Sequence, residues 1–274
     1  MKKTFIMGDI HGNATPIQEI VQSHPILFSN SEKHYMILLG DAGLNFWFDK
    51  RDQKIKQELS KLPFIYFIVR GNHEERPSNC MKMNPSKWII EDFFGNAVLT
   101  EKDFPNIKYA MDNPSIYTIP INEEKFLKTL VMGGAYSIDK MFRIQNNCPW
   151  FSDEQMTPEE MTHAQRLIAQ EGKIDLVLTH TCPTIMQPQE AMLQGKNIQD
   201  VNSAMERFFN GLYINSLYRE GEAFFRAWLF GHYHIFKDYL QSKMPTFTSP
   251  RFLALDWRYA VDLASVIADC ISAI

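Results

Sequence analysis

The chain has 274 residues and a formal net charge of −4, with 45% hydrophobic and 22% charged residues. That length predicts one large domain or two modest ones; the composition excludes a disordered chain and argues against broad electrostatic binding to nucleic acid or an anionic membrane. Four scattered cysteines (Cys80, Cys148, Cys182, Cys270) form no C-x-x-C pair, which argues against a disulfide framework or zinc knuckle and for a reducing compartment.

In chain order, Lys2 and Lys3 precede an apolar stretch of only Phe5–Met7, ended by Gly8 and Asp9, so no signal-peptide core is expected. No run approaches the ~18 apolar residues of a spanning helix, and the reading is a cytoplasmic protein that does not enter a membrane. Short apolar runs at Thr4–Met7, His34–Leu39, Phe64–Val69, Leu127–Met132, Asp175–Thr179 and Ala227–Phe230 predict strands buried on both faces. Thr15-Pro16-Ile17-Gln18 predicts a helix start with Thr15 as N-cap, and Thr157-Pro158-Glu159-Glu160 repeats that pattern. Residues from Phe48 to Leu62 predict a charged helical connection. The irregular stretch from Pro77 to Tyr117 is expected to cross over and close a second sheet. Between about 184 and 225, Val201, Ala204, Met205, Phe208 and Phe209 recur at helical spacing and predict a helical cap over the site. At the end, Ala264, Ile267, Ala268, Ile271 and Ile274 share one face of an amphipathic helix expected to dock on a sheet. No repeat or interdomain linker is visible, which favours a single domain over residues 1–274.

Chemistry gathers where the strand-like runs end. The first is followed by Gly8-Asp9-Ile10-His11-Gly12-Asn13, the second by Gly40-Asp41, and the third by Arg70-Gly71-Asn72-His73-Glu74. The run ending at Thr179 leads into His180, and the run ending at Phe230 into Gly231-His232-Tyr233-His234. Ligands collect at such strand ends in open α/β sheets. Asp9, Asp41, Asn72, His11, His180, His232 and His234 make a mixed nitrogen and oxygen donor set that suits Mn, Fe, Zn or Ni better than Ca or Cu(I). Seven donors exceed one tetrahedral ion but fill two sites if a carboxylate bridges. Each motif alone is weak, since a solitary Asp-x-His is commonly surface polarity; five in order after five strand-like runs reinforce one another.

With these blocks intact from Asp9 to His234, the sequence resembles the calcineurin-like metallophosphoesterases. The resemblance implies an α/β fold, a four-layer αββα sandwich of two mixed sheets, with a binuclear metal centre at the strand ends. It implies that Asp9, His11 and His234 hold one ion, that Asn72, His180 and His232 hold the other, and that Asp41 bridges. His73 matches the family's general acid, and Arg70 matches a substrate-phosphate contact of the phosphoprotein phosphatase branch. The implied reaction is hydrolysis of phosphomonoesters, with Ser/Thr phosphoproteins among the candidates, by a metal-bridging hydroxide, with Mn the first choice of metal. The second block departs from that branch. Leu44 stands where the branch has the Asp that orients the acid histidine, and Asn45 stands where it has an Arg. The partner of His73 is therefore left open.

Gly133-Gly134-Ala135-Tyr136 ends another apolar run, which makes Tyr136, Lys140 and Arg143 candidate substrate contacts. His24, His34 and His163 match no block and read as structural or surface histidines. Two alternatives stand beside the monoesterase: a phosphodiesterase acting on cyclic nucleotides or nucleic acid ends, since one metal core serves both reactions, and a non-catalytic scaffold, against which the intact blocks argue. The expected partner is a phosphorylated small molecule or phosphoprotein rather than long nucleic acid.

Overall fold

The computed structural model describes residues 2–29, 32–188, 204–220, 223–239 and 250–271. Its strands are β1 (Thr4–Met7), β2 (His34–Leu39), β3 (Phe64–Val69), β4 (Trp88–Phe93), β5 (Asn96–Glu101), β6 (Ile107–Ala110), β7 (Ser115–Pro120), β8 (Phe126–Met132), β9 (Ile174–Thr179), β10 (Phe225–Phe230), β11 (Lys237–Asp238), β12 (Arg251–Ala254) and β13 (Val261–Asp262). Its helices are α1 (Thr15–Ser23), α2 (Lys50–Ser60), α3 (Pro77–Met83), α4 (Lys140–Gln145), α5 (Pro158–Glu171), α6 (Ala204–Glu220) and α7 (Leu263–Ile271). One sheet runs β13-β1-β2-β3-β6-β5-β4 and the other β11-β12-β10-β9-β8-β7.

Side-chain alternation explains the layers. In β2, Ile37 and Leu39 face the second sheet, where they meet Leu176, Leu178 and Leu229, while Met36 and Leu38 face outward onto Ile17 of α1 and Ile55 and Leu59 of α2. On the far side, Val177, Trp228 and Phe252 pack outward against Ala164 of α5 and Met205, Phe209 and Tyr213 of α6. Strands with apolar residues on both faces need cover on both, and helices that carry parallel crossovers supply it. The result is the four-layer αββα sandwich that the family resemblance implies.

Several local expectations need adjustment. The stretch after Pro77 supplies α3 and then β4, β5 and β6, which extend the first sheet; the crossing to the second sheet comes only at β7. Thr15 is not an N-cap. Ala14 holds that position without a side-chain bond, and the Thr15 amide instead donates to Asn13 Oδ1 at 3.0 Å. Thr157 does cap α5, with a capping box closed by Glu160. In the expected cap segment, residues 189–203, including Val201, lie outside the described residues, and the apolar face of α6 packs on the second sheet. Leu263, Val266 and Ile267 of α7 join the core between the sheets, while Ile274 lies outside the described residues.

Strand register fixes where the site forms. Leu38 pairs with Met7 and Leu39 with Val69 in the first sheet, while Met132 pairs with Thr179 and Thr179 with Phe230 in the second. Six parallel strands thus end level with one another. Hydrogen bonds then stitch the loops together, including His11 N to Asp41 O (2.8 Å), Gly134 N to Arg70 O (2.7 Å) and Gly231 N to His180 O (3.0 Å).

Candidate metal centre

Five of the expected ligands, Asp9, His11, Asp41, His232 and His234, have positive φ between 38° and 71°. Each such residue without glycine's freedom costs on the order of 1 kcal/mol or more, and such strain concentrates at functional sites. In Asp-x-His and His-x-His both outer residues take this turn, which converges their side chains.

Two glycines make the convergence sterically feasible. A Cβ on Gly71 would lie 2.0 Å from Asp41 Oδ1, and one on Gly40, whose φ is 87°, would lie 2.3 Å from His180 Nδ1. The carboxylates are also aimed. Asp9 accepts the His232 amide on both oxygens (2.9 and 2.8 Å), and Asp41 Oδ1 accepts the His73 amide at 2.8 Å. Glu74 braces the two neighbouring loops, accepting Gly43 N at 3.0 Å and Gly71 N at 3.1 Å. Burial, with the Asp41 charge beside it, pushes Glu74 up to about 7.

Among the described residues three overlapping donor groups result: Asp9, His11 and His234; His11, Asp41 and His73; and Asp9, Asp41 and His180, with ligand atoms in each group within 4.8 Å of one another. His11 Nε2 and His234 Nε2 are 3.0 Å apart. Asn72 reaches the cluster through Oδ1, 3.0 Å from His180 Nε2, and the His232 ring lies 4.9 Å from that of His180 between centroids.

The donor chemistry fits divalent ions. His180 Nδ1 lies 2.6 Å from the Leu39 carbonyl, which can only accept, so Nδ1 carries the proton and Nε2 is left to ligate. Nε2 then faces Asn72 Oδ1 and, at 3.3 Å, Asp41 Oδ1, so three electron-rich atoms meet at one point and need a cation between them. Without a metal that cation is a proton. Burial works against a charged His180, but Asp41 and Asp9 together raise it to about 9. Asp41 is likewise opposed by burial yet held well below the usual carboxylate range by His180, His73 and His11, whereas burial carries Asp9 well above it. Burial keeps His11 and His232 below the usual histidine value, in the neutral form that binds metal.

His73 stands at the edge of this cluster, its Nε2 3.8 Å from Asp41 Oδ2 and 3.8 Å from Asp139 Oδ2. Burial lowers it to about 4. Leu44, at the position of the missing orienting carboxylate, is fully buried in the apolar layer outside the first sheet, and Asn45 accepts Lys56 Nζ at 2.7 Å. Asp139, on a different loop, is the carboxylate nearest His73 besides Asp41. Sequence reading missed it, although it follows the Gly133-Gly134 signal by a few residues.

Arg70 is not brought to the donor cluster's open side. Its guanidinium is buried, with Nη1 donating to Glu154 O at 2.6 Å, Nη2 to Gly133 O at 3.3 Å, and Asp112 at 3.6 Å. Arg143 is also buried, bonding Asp139 Oδ2 (3.1 Å) and the Asn72 carbonyl (3.3 Å), while its Nη2 has no hydrogen-bond partner among the described residues. Lys140 Nζ sits 4.0 Å over the Trp150 ring, and Tyr136 is half-buried in the same loop. His34 is buried and accepts the Lys3 amide, which makes it structural; His24 is exposed. A cavity of about 460 Å³ opens beside His11 and His73, walled by Phe46, Trp47, Arg51 and Lys54.

Among curated proteins, none matches the chain. In structure, 31 solved chains match it, among them TT1561 of Thermus thermophilus, at 12% identity and a TM-score of 0.47, with 96% of this chain and 95% of that one covered. The family model described as calcineurin-like phosphoesterase matches residues 2–236, a span that takes in every donor named above. The chain belongs to the calcineurin-like phosphoesterase family, a metal-dependent family of hydrolases.

Proposed function

We propose that this phosphoesterase is a phosphomonoesterase working with two divalent ions, manganese first among them. The observation that carries the reading is the overlap of donors: Asp9, His11 and Asp41 each belong to two of the three groups, and the six residues in them are more than one four-coordinate ion can use. Ions bound there supply Lewis acidity toward phosphoryl oxygens and make water nucleophilic near neutral pH. Asp9, His11 and His234 would hold one ion, Asn72, His180 and His232 the other, and Asp41 would be shared.

The protein's own groups do the rest. His73 borders both the donor cluster and the cavity, so the leaving group departs past its ring into that space. A ring held neutral by burial must gain a proton before donating one, and negative charge beside it favours that gain. On the cavity wall Arg51 is paired with Asp49 at 2.6 Å and Lys54 with Glu58 at 3.8 Å. The cavity volume suits a small phosphorylated molecule or a single phosphorylated side chain. Unpaired Cys80, Cys148 and Cys182 support a cytoplasmic setting.

The test is a comparison of p-nitrophenyl phosphate with its bis ester in added Mn. Faster turnover of the monoester, lost together with bound metal in Asp41→Ala, is the expected result. A strong diester preference would replace this reading with the phosphodiesterase one.

A further inference from the structure

Asn72 has an ambiguity that the other donors lack: one end of its amide is a ligand and the other repels a cation. Something must choose the end. Asn72 Nδ2 donates to Ser137 Oγ at 3.0 Å, and Ser137 Oγ donates to Glu154 Oε2 at 2.5 Å. The Ser137 amide donates to Glu154 Oε1 at 2.8 Å, which pins the carboxylate flat against this one residue. Asn72, Ser137 and Glu154 are 2%, 0% and 3% exposed, so water does not compete. The Arg70 guanidinium, bonded to the Glu154 carbonyl, holds the far end of the chain in place.

Directionality follows from valence. Burial raises the Glu154 pKa while the Ser137 hydroxyl and amide bonds favour its charged form, and the ionised carboxylate, with its short 2.5 Å bond from Ser137 Oγ, only accepts. The single Ser137 hydrogen is therefore committed to Glu154. Ser137 Oγ can then only accept from Asn72, which forces Nδ2 toward the serine and Oδ1 toward His180 Nε2.

We propose that Glu154 and Ser137 are positioning residues that set the polarity of the Asn72 amide and so make it a metal ligand. This rests on the reading of Asn72 as a ligand. Glu154→Gln keeps size and shape but reverses the chain. The introduced amide keeps its oxygen on the Ser137 N–H and donates to Ser137 Oγ, which frees the serine hydrogen to turn to Asn72. The Asn72 amide is then no longer held with Oδ1 toward the ion and can present Nδ2 instead.

The experiment is titration of metal-free protein with Mn by calorimetry, with bound metal counted by mass spectrometry and folding followed by thermal melting. The wild type is expected to take two ions per chain. E154Q is expected to keep one and to weaken the other by about 10- to 100-fold, the usual cost of an outer-shell change. The double variant N72D/E154Q is expected to recover the second ion, because a carboxylate presents oxygen whichever way it turns. In a Ser137→Ala background, E154Q is expected to change nothing further. Should E154Q fail to fold, N72D alone carries the test. With Glu154 in place, two carboxylates compete for one serine hydrogen, so the second ion binds no more tightly than in the wild type despite the added charge. Two ions bound unchanged in E154Q, tighter binding in N72D alone, or no rescue in the double variant would overturn the relay while leaving the metal centre standing. No metal uptake by the wild type would overturn both.

Discussion

At the scale of single residues, the site is a set of acceptors whose mutual repulsion is tolerable only around a cation. His180 shows this most directly. Its Nδ1 is occupied by the Leu39 carbonyl, and its Nε2 faces Asp41 and Asn72, so the metal-free protein keeps a proton there with a pKa of about 9. A metal must displace that proton, because only the neutral ring ligates. The sign is therefore fixed: affinity for Mn rises with pH while His180 is still protonated and levels off above its pKa. The expected slope is about tenfold per pH unit below about pH 9, read from competition titrations between about pH 6 and about pH 10. A flat profile would show that His180 does not contribute its Nε2. The same coupling makes the charged His180 stabilise the metal-free fold below its unfolded value near 6.5, a contribution lost as pH rises through about 9.

At the scale of elements, the loop between α4 and α5 supports the site through Glu154, which holds Ser137 behind Asn72. Arg76 ties it down, donating to Asp153 O at 2.8 Å, Gln155 O at 2.7 Å and Glu160 Oε1 at 2.5 Å. Glu160 also closes the capping box with Thr157, so the start of α5 and the loop holding Glu154 share one anchor. Removing the cap with Thr157→Ala should cost about 1 kcal/mol. In a chain of this size that is a fall of about 2–4 °C in Tm, with metal content unchanged. Calorimetry with metal analysis checks it, and loss of bound metal would show that the cap and the site are coupled more tightly than the bonds suggest. This element also shows what the sequence conveyed. Thr157-Pro158-Glu159-Glu160 announced its helix because capping is local, whereas the similar Thr15-Pro16 pattern began one residue early because Asn13 takes the Thr15 amide.

At the scale of the molecule, two sheets that share one core, each ending its parallel strands level, deliver loops from opposite sheets to one place. His180 and His232 come from the second sheet, and Asp9, Asp41 and Asn72 from the first, so the centre spans the sandwich. Occupied by metal, it should act as a clamp between the sheets, and binding to the native state alone stabilises by about 2.7 kcal/mol at 100 times the dissociation constant. The Tm is expected to fall by several degrees on chelation and to return with Mn. Scanning calorimetry with and without chelator reads this directly, and an unchanged Tm would mean that the donors hold no ion in the native fold.

The strands, and the Asp, Asn and His residues that follow them, were legible in the sequence because they rest on short-range rules: apolar runs of strand length, turns that need glycine, and side chains two residues apart on one bend; the sandwich followed from the family resemblance. The family pattern sharpened the assignment of donors but left His73 without a partner. Tertiary structure alone decided which groups stand behind the donors. Asp139 approaches His73 from a loop 66 positions later in the chain, Glu154 reaches Ser137 across 17 residues, and Arg70 is turned into the core by Glu154 and Gly133. Such contacts follow from how two sheets and a long loop pack, and packing at that range leaves no periodicity for a linear sequence to display.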